Sequence, residues 1–105
     1  MKILAADTAT MSCSVALIDN GNLLCEQTLI SGQTHSRHLM EMIKKGLDLA
    51  GLKMNDIDGF AVTKGPGTFT GLRIGISSIK GLAAASGKPV AGISSLAALA
   101  AQSSF

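Results

Sequence analysis

The sequence predicts an α/β fold in which a mixed five-stranded sheet carries helices on its faces. Three apolar runs come first, and the second and third flank Asn20-Gly21, the dipeptide most typical of a two-residue hairpin turn. Segments with helical and strand spacing then alternate, which gives the order β-β-β-α-β-α-β-α. A strand meander followed by alternating helices and strands is typical of a sheet with both antiparallel and parallel neighbours.

The first three predicted strands form the antiparallel part of this sheet. The first is KILAADT, Lys2–Thr8, and the two hairpin arms are CSVALID and LLCEQTLI. Cys13 and Cys25 are not predicted to be cross-strand partners, so we expect two free thiols that act as small core residues. With a two-residue turn and no skipped residue, the predicted pairs are Asp19 with Asn22, Ala16 with Cys25, and Cys13 with Thr28.

The helices and remaining strands follow from apolar spacing and from glycines. An amphipathic helix is predicted over Ser36–Ala50 and ends at Gly51, and a second over Thr68–Ser86 ends at Gly87. Between them lie a turn or short helical link, NDIDG, and a fourth strand, FAVTKG. The fifth strand is KPVAGISS, and SLAALAAQSSF is predicted to begin a third helix.

Composition limits the class of protein. A chain of 105 residues is enough for one domain. The net charge is only +2, the basic residues are scattered, and Trp and Tyr are absent, which argues against an autonomous nucleic-acid binder. The sequence has no apolar run of membrane-spanning length and no signal-peptide pattern, so we expect a cytoplasmic protein without membrane contact.

The glycine-rich stretch TKGPGTFTGLRIG permits two interpretations. A strand, a glycine turn and a helix start form a generic anion site, in which Gly65, Gly67 and Thr68 would meet a phosphate. The spacing matches neither a P-loop nor a dinucleotide fingerprint, however. The alternative is close packing, because small residues and one leucine form a stripe along the second helix. The packing partner would be another chain or this protein's own sheet. The stripe consists of Gly71, Gly75, Ser78 and Leu82.

Two further groups could carry chemistry. Asp7, with Thr8 after it, ends the first strand, where a carboxylate could hold a metal–nucleotide through water or could accept bonds from turn amides. His35 and His38 are three residues apart at a helix start and could share a face. A third ligand is not evident beside them, so we expect no metal site there.

Three stretches of the chain resemble the TsaB family, also called YeaZ. They are the opening MKILAADTAT with SCSVAL, the helix start THSRHLM, and KGPGTFTGLRIG, and the resemblance runs along essentially all residues. It implies a ribonuclease H-like fold of the actin-like ATPase (ASKHA) type. Residues 1–105 would then be the first, N-terminal lobe, and the family's second lobe would be absent from this chain.

The resemblance also implies a function. Members of the family pair with the related enzyme TsaD and, with further subunits, help to form threonylcarbamoyladenosine in tRNA. The chain would be a non-catalytic partner subunit without a resident cofactor, and its contact with tRNA would be indirect or unknown. It would bind a TsaD-like paralogue or a second copy of itself through its two helices. Candidate apolar contacts are Leu39, Met42 and Leu72, beside the small residues of the second helix.

Two alternative functions stay open at this point. One is an actin-like lobe that binds ATP or ADP with magnesium through Asp7 and the glycine loop, although DTAT has alanine where such ATPases usually place glycine. The other is a metallopeptidase. The catalytic relatives carry two metal-binding histidines four residues apart, whereas His35 and His38 are three apart.

Overall fold

A computed structural model describes residues 1–8, 12–30, 36–63 and 69–93. In this part of the chain five strands and two long helices follow the predicted order, with a short 3-10 turn at Met54–Asp56 after the first helix. The predicted third helix, SLAALAAQSSF, lies outside the described residues. The elements are β1 Lys2–Asp7, β2 Ser12–Asp19, β3 Asn22–Ile30, α1 Ser36–Ala50, β4 Gly59–Thr63, α2 Phe69–Ser86 and β5 Val90–Ile93.

The strands form one mixed sheet in the order β3-β2-β1-β4-β5. β1, β2 and β3 are antiparallel neighbours, whereas β1, β4 and β5 run parallel. The chain crosses from β3 to the parallel strand β4 through α1 and from β4 to β5 through α2, in the same direction along the sheet. Because such crossovers are right-handed, both helices lie on the same face. α1 covers β2 and β3, and α2 covers β4, β1 and β5.

The main core lies between the sheet and these two helices. The inward side chains of β1, β2 and β4 meet the apolar stripes of α1 and α2, and burial of this apolar surface stabilises the fold. The largest fully buried members are Leu4, Leu17, Leu39, Ile43 and Ile79. A smaller cluster of Ala5, Ile18 and Ala61 lies on the opposite face of the sheet, as the alternation of side chains along each strand requires.

The hairpin turn is confirmed, and the register beyond it differs from the prediction. Asn20 and Gly21 both have positive φ, 50° and 85°, and Asp19 faces Asn22. The pairing then shifts by one residue between Leu17 and Ile18, which is an irregularity of the bulge type. Cys25 therefore faces Leu17 instead of Ala16, and Cys13 faces Leu29 instead of Thr28. Both cysteines are free, as predicted.

The helix bounds agree closely with the sequence. α1 spans the predicted Ser36–Ala50, and α2 begins one residue later than predicted and ends as predicted at Ser86. Gly51 and Gly87 follow the two helices with φ of +69°, a conformation that favours glycine. β4 begins one residue before FAVTKG and β5 begins two residues after the start of KPVAGISS, and the last two residues of each predicted strand lie outside the described residues.

Candidate functional site

The carboxyl ends of β1 and β4 bring two polar side chains together. Both strands are parallel and adjacent, and Ala6 pairs with Val62, so the next residues in register are Asp7 and Thr63. The Thr63 hydroxyl donates a hydrogen bond of 2.9 Å to Oδ1 of Asp7. Thr63 is buried and Asp7 is half-buried. Sequence reasoning missed Thr63, although a polar residue that ends the strand parallel to β1 was the available signal.

The side chains of Asp7 and Thr8 lie on opposite faces of the sheet. Asp7 shares with Ala5 the face of the sheet opposite α1 and α2, because alternate residues of a strand point the same way. Thr8 is fully buried and contacts α2 at Gly75. A Cβ at Gly75 would lie 2.1 Å from the Thr8 Oγ1 atom, far inside van der Waals contact. The close approach that this glycine permits is therefore made within this chain.

A row of oxygen atoms extends from Asp7 towards the edge of the sheet. Ser14 is the cross-strand neighbour of Asp7, and its hydroxyl lies 3.0 Å from the Thr28 hydroxyl on β3. Carboxylate and hydroxyl oxygens can accept hydrogen bonds from a polar ligand or bind a hard cation. Within the described residues, however, no three His, Cys, Asp or Glu side chains come together in a way that could hold a metal ion.

The other residues predicted for an anion or metal site cannot be placed beside this pair. Gly65, Gly67 and Thr68 lie outside the described residues, and so does His35. His38 is half-buried near the start of α1.

Cys13 lies in the core on β2, in the strand that neighbours β1. Burial raises the pKa of the Cys13 thiol, and the negative charge of Asp7 raises it further. A thiol whose pKa is raised is less often in the reactive thiolate form at neutral pH. The arrangement therefore fits a structural residue, as the sequence predicted.

The outward side of α1 presents a second feature, a groove of about 430 Å³ that we call the α1 groove. Its lining is mainly apolar, with two charged side chains among the lining residues. Met40 is 39% exposed there, although a helix surface normally carries polar groups. The lining residues are Met40, Glu41, Ile43, Lys44, Leu47 and Met54.

The predicted interface residues on α1 need correction. Leu39 is 0% exposed and Met42 is 9% exposed, so both belong to the core of this chain and are not available as surface contacts. The reason is that α1 turns its apolar stripe towards β2 and β3. Met40, one residue along the helix from Leu39, is exposed instead, as is Leu49 near the end of the helix.

The predicted small-residue stripe of α2 lies partly inside the chain. Gly75 is buried against Thr8, and Ser78 and Leu82 are half-buried. Leu82 packs against the main core. Gly71 and Leu72 belong to α2, but their exposure and contacts lie outside the described part of the structure.

The fold defines the class of protein. This chain, with its mixed sheet in the order β3-β2-β1-β4-β5 and with α1 and α2 on one face, is similar in fold to the RuvC structure from Thermus thermophilus. That structure superposes with a TM-score of 0.59 at 14% identity and covers 89% of this chain and 63% of the other. The chain therefore has a ribonuclease H-like α/β fold.

Comparison with protein families and with relatives of known name defines the chain more narrowly than its fold does. The model described as "TsaD: tRNA N6-adenosine threonylcarbamoyltransferase" matches residues 28–105, and the chain belongs to this family. It is 40% identical to the Escherichia coli TsaB protein, named for tRNA threonylcarbamoyladenosine biosynthesis, over 95% of this chain and 43% of the relative. YeaZ from Pseudomonas aeruginosa superposes with a TM-score of 0.84 at 40% identity, covering 96% of this chain and 47% of that one.

Enzymes of the same family are also similar to this chain. The tRNA N6-adenosine threonylcarbamoyltransferase of Staphylococcus haemolyticus is 38% identical over 84% of this chain and 30% of the enzyme. The predicted resemblance to the TsaB (YeaZ) family is confirmed. The chain spans less than half the length of each of these relatives. In the described ranges no helix is long and apolar enough to span a membrane.

Proposed function

We propose that this chain is the first-lobe part of a non-catalytic subunit that supports the formation of threonylcarbamoyladenosine in tRNA. Support comes from the similarity to proteins named for this biosynthesis and from the similarity to the transferase itself. In this proposal the chain acts by binding a TsaD-like paralogue or a second copy of itself.

The α1 groove is the observation that carries the proposed docking role. Exposed apolar surface that is concave and rimmed by charge is typical of protein–protein contact sites. Met40 supplies an adaptable apolar wall, while Lys44 and Glu41 provide charges of opposite sign for a partner's rim. The core residues Leu39 and Met42 would hold α1 against the sheet without contacting the partner.

The docking role is tested by placing a charge in the groove. Met40→Glu should weaken association with the TsaD-like paralogue, or dissociate the homodimer, by at least about tenfold, since a buried unpaired charge is costly. Leu49→Glu is the matched control, because Leu49 lies on the same helix, is 67% exposed and does not line the groove. Both variants are compared by sedimentation equilibrium and by co-elution with the paralogue. Equal association of the two variants would contradict the assigned surface.

A second candidate function is nucleotide binding, and the position of Asp7 favours it. A carboxylate at the carboxyl end of a parallel strand is placed where open α/β sheets commonly bind ligands. The hydrogen bond from Thr63 already satisfies one oxygen of Asp7, which reduces its capacity for a metal–nucleotide. Titration calorimetry with ATP and magnesium tests this function. Heat that saturates in the wild type and is absent in Asp7→Asn would support it, and absent heat in both would oppose it.

A further inference from the structure

The α1 groove contains two thioethers that the proposed docking role does not explain. Met40 lies in the first half of α1, and Met54 begins the 3-10 turn after it, and both line the groove. Met40 is 39% exposed, and Met54 is half-buried. A leucine would supply the same apolar surface without an oxidisable sulfur atom. The two sulfur atoms therefore give this surface a chemistry that other apolar side chains lack.

The same helix carries an internal comparison. Met42, two residues from Met40, is 9% exposed and belongs to the main core. Its backbone carbonyl accepts a 2.7 Å hydrogen bond from the Gln27 amide, so this part of α1 is fixed to β3. An oxidant must reach the sulfur atom to react with it. The Met40 side chain is open to solvent, whereas the Met42 side chain is shielded in the core.

We propose that Met40 is an oxidative modification site for hydroperoxides and that its sulfoxide prevents docking at the α1 groove. The inference rests on the proposed docking function. The thioether sulfur attacks one peroxide oxygen, an S–O bond forms as the O–O bond breaks, and the departing hydroxide takes the proton of the transferred oxygen and leaves as water. Methionine loses two electrons, and hydrogen peroxide gains them.

The sulfoxide changes the groove because its oxygen is a strong hydrogen-bond acceptor. Docking would bury this oxygen beside Ile43, Leu47 and Met54, whose side chains offer no donor. Lys44, the cationic donor among the lining residues, would be paired with the partner's rim charges. An acceptor buried without a donor weakens association by about tenfold or more. The modification is reversible, since methionine sulfoxide reductases restore the thioether. A bound partner would in turn cover Met40 and slow its oxidation.

Selectivity is measured first, with the chain alone and hydrogen peroxide as the oxidant. Trypsin releases HLMEMIK, which contains both Met40 and Met42, so fragment-ion spectra compare the two sulfur atoms within one peptide. We expect the added oxygen on Met40 well before it appears on Met42. Equal rates at the two residues would overturn the site assignment.

Docking is measured next, by titrating the oxidised chain and the untreated chain with the TsaD-like paralogue. We expect at least about tenfold weaker binding after oxidation, recovery after treatment with sulfoxide reductase, and no sensitivity in Met40→Leu. Met42→Leu is the control and should remain sensitive. Unchanged binding after Met40 oxidation, or an equally sensitive Met40→Leu chain, would overturn the inference. If the untreated chain also fails to bind, the proposed docking function fails with it, whereas the selectivity between Met40 and Met42 is decided independently.

Discussion

The two helices lie on the same face of the sheet but reach it in different ways. α1 meets β2 and β3 through long side chains, Leu39, Ile43 and Leu47 among them, and its opposite side carries charge. α2 buries one large side chain, Ile79, and otherwise meets β1 and β4 through small residues, with Gly75 against Thr8 and Ala83 also buried. α1 is held mainly by the volume of its side chains, whereas α2 also depends on a close approach that the missing side chain of Gly75 permits.

This difference predicts opposite sensitivities. A core filled by large side chains is weakened when atoms are removed, since a cavity remains. A close helix–strand contact is weakened when atoms are added, since the backbone must move. Substitutions in α1 and α2 can therefore test whether the two modes of packing are real.

The largest effect is expected from Leu39→Ala in α1. Leu39 is 0% exposed, and removing its buried atoms should lower the free energy of unfolding by about 2–5 kcal/mol. Met40→Ala is the matched control on the neighbouring, 39% exposed residue, and it should cost much less. Urea unfolding followed by circular dichroism measures both. Equal losses for the two variants would show that α1 is rotated from the orientation described here.

Gly75→Ala in α2 should have the next largest effect. The new Cβ would lie 2.1 Å from Thr8 Oγ1, and α2 must shift to relieve the overlap. We expect a loss of about 1–3 kcal/mol, because overpacking outweighs the better helix propensity of alanine. The added Thr8→Ala substitution removes the oxygen atom that clashes and should restore part of the stability, which a double-mutant cycle detects. Strictly additive losses would contradict direct contact.

Gly81→Ala in the same helix should act in the opposite direction. A Cβ at Gly81 meets no atom within 4 Å, and the residue is exposed. Alanine should then raise the free energy of unfolding by up to about 1 kcal/mol, through helix propensity alone. Thermal unfolding of Gly81→Ala and Gly75→Ala side by side gives the sign of each change. A loss in both would mean that α2 packs through more of its surface than these contacts indicate.

The contrast between α1 and α2 also shows which features of the fold can be predicted from the sequence. The bounds of α1 followed from its apolar spacing and from Gly51, because periodicity and helix-ending glycines are local signals. The same spacing does not state whether a stripe faces its own sheet or another chain, which is why Leu39 and Met42 were assigned to an interface. Gly75 was recognised as a site of close approach, but its partner, Thr8, lies at the end of a distant strand.

The register and the candidate site depended on contacts that no single segment contains. The hairpin turn follows from Asn20-Gly21, whereas the register shift between Leu17 and Ile18 is found only in the pairing of the two strands. Thr63 became part of the site only when β4 was placed beside β1. Asp7 was predicted from its position at a strand end, and its hydrogen-bond donor required the sheet order.

Gly46→Ala in α1 should have a small net effect and so sharpens the contrast with Gly75. The new Cβ would lie 2.9 Å from the amide nitrogen of Gln27, which is the end of a flexible side chain. Gln27 can move away, at the cost of its hydrogen bond to the Met42 carbonyl, and the helix gains propensity. We expect the two contributions to cancel to within about 1 kcal/mol. A loss as large as that of Gly75→Ala, measured in the same urea titration, would contradict this account.

The smallest effect is expected at Asp58, which is hydrogen-bonded to Lys2 where β1 and β4 begin. Oδ2 of Asp58 accepts a 2.8 Å hydrogen bond from the Lys2 backbone N–H, and the Asp58 N–H donates to the Lys2 carbonyl, also at 2.8 Å. The bond from the Lys2 N–H is the main reason that the pKa of Asp58 lies below its usual 3.8. Because the folded pKa is the lower one, this carboxylate stabilises the fold above the unfolded pKa, and the contribution is lost as the pH falls through the folded value.

Asp58→Asn tests this contribution because it removes the charge and keeps an oxygen acceptor. The wild type should have the higher melting temperature at neutral pH, and the difference should begin to shrink below about pH 4 and disappear as the pH falls through the lower, folded pKa of Asp58. Asp48→Asn is the control for the loss of one negative charge, since Asp48 lies on the exposed side of α1. A difference that persists unchanged at low pH would mean that Asp58 acts through packing instead of charge. The connection between the starts of β1 and β4 would then depend on packing, as the contacts of the two helices with the sheet do.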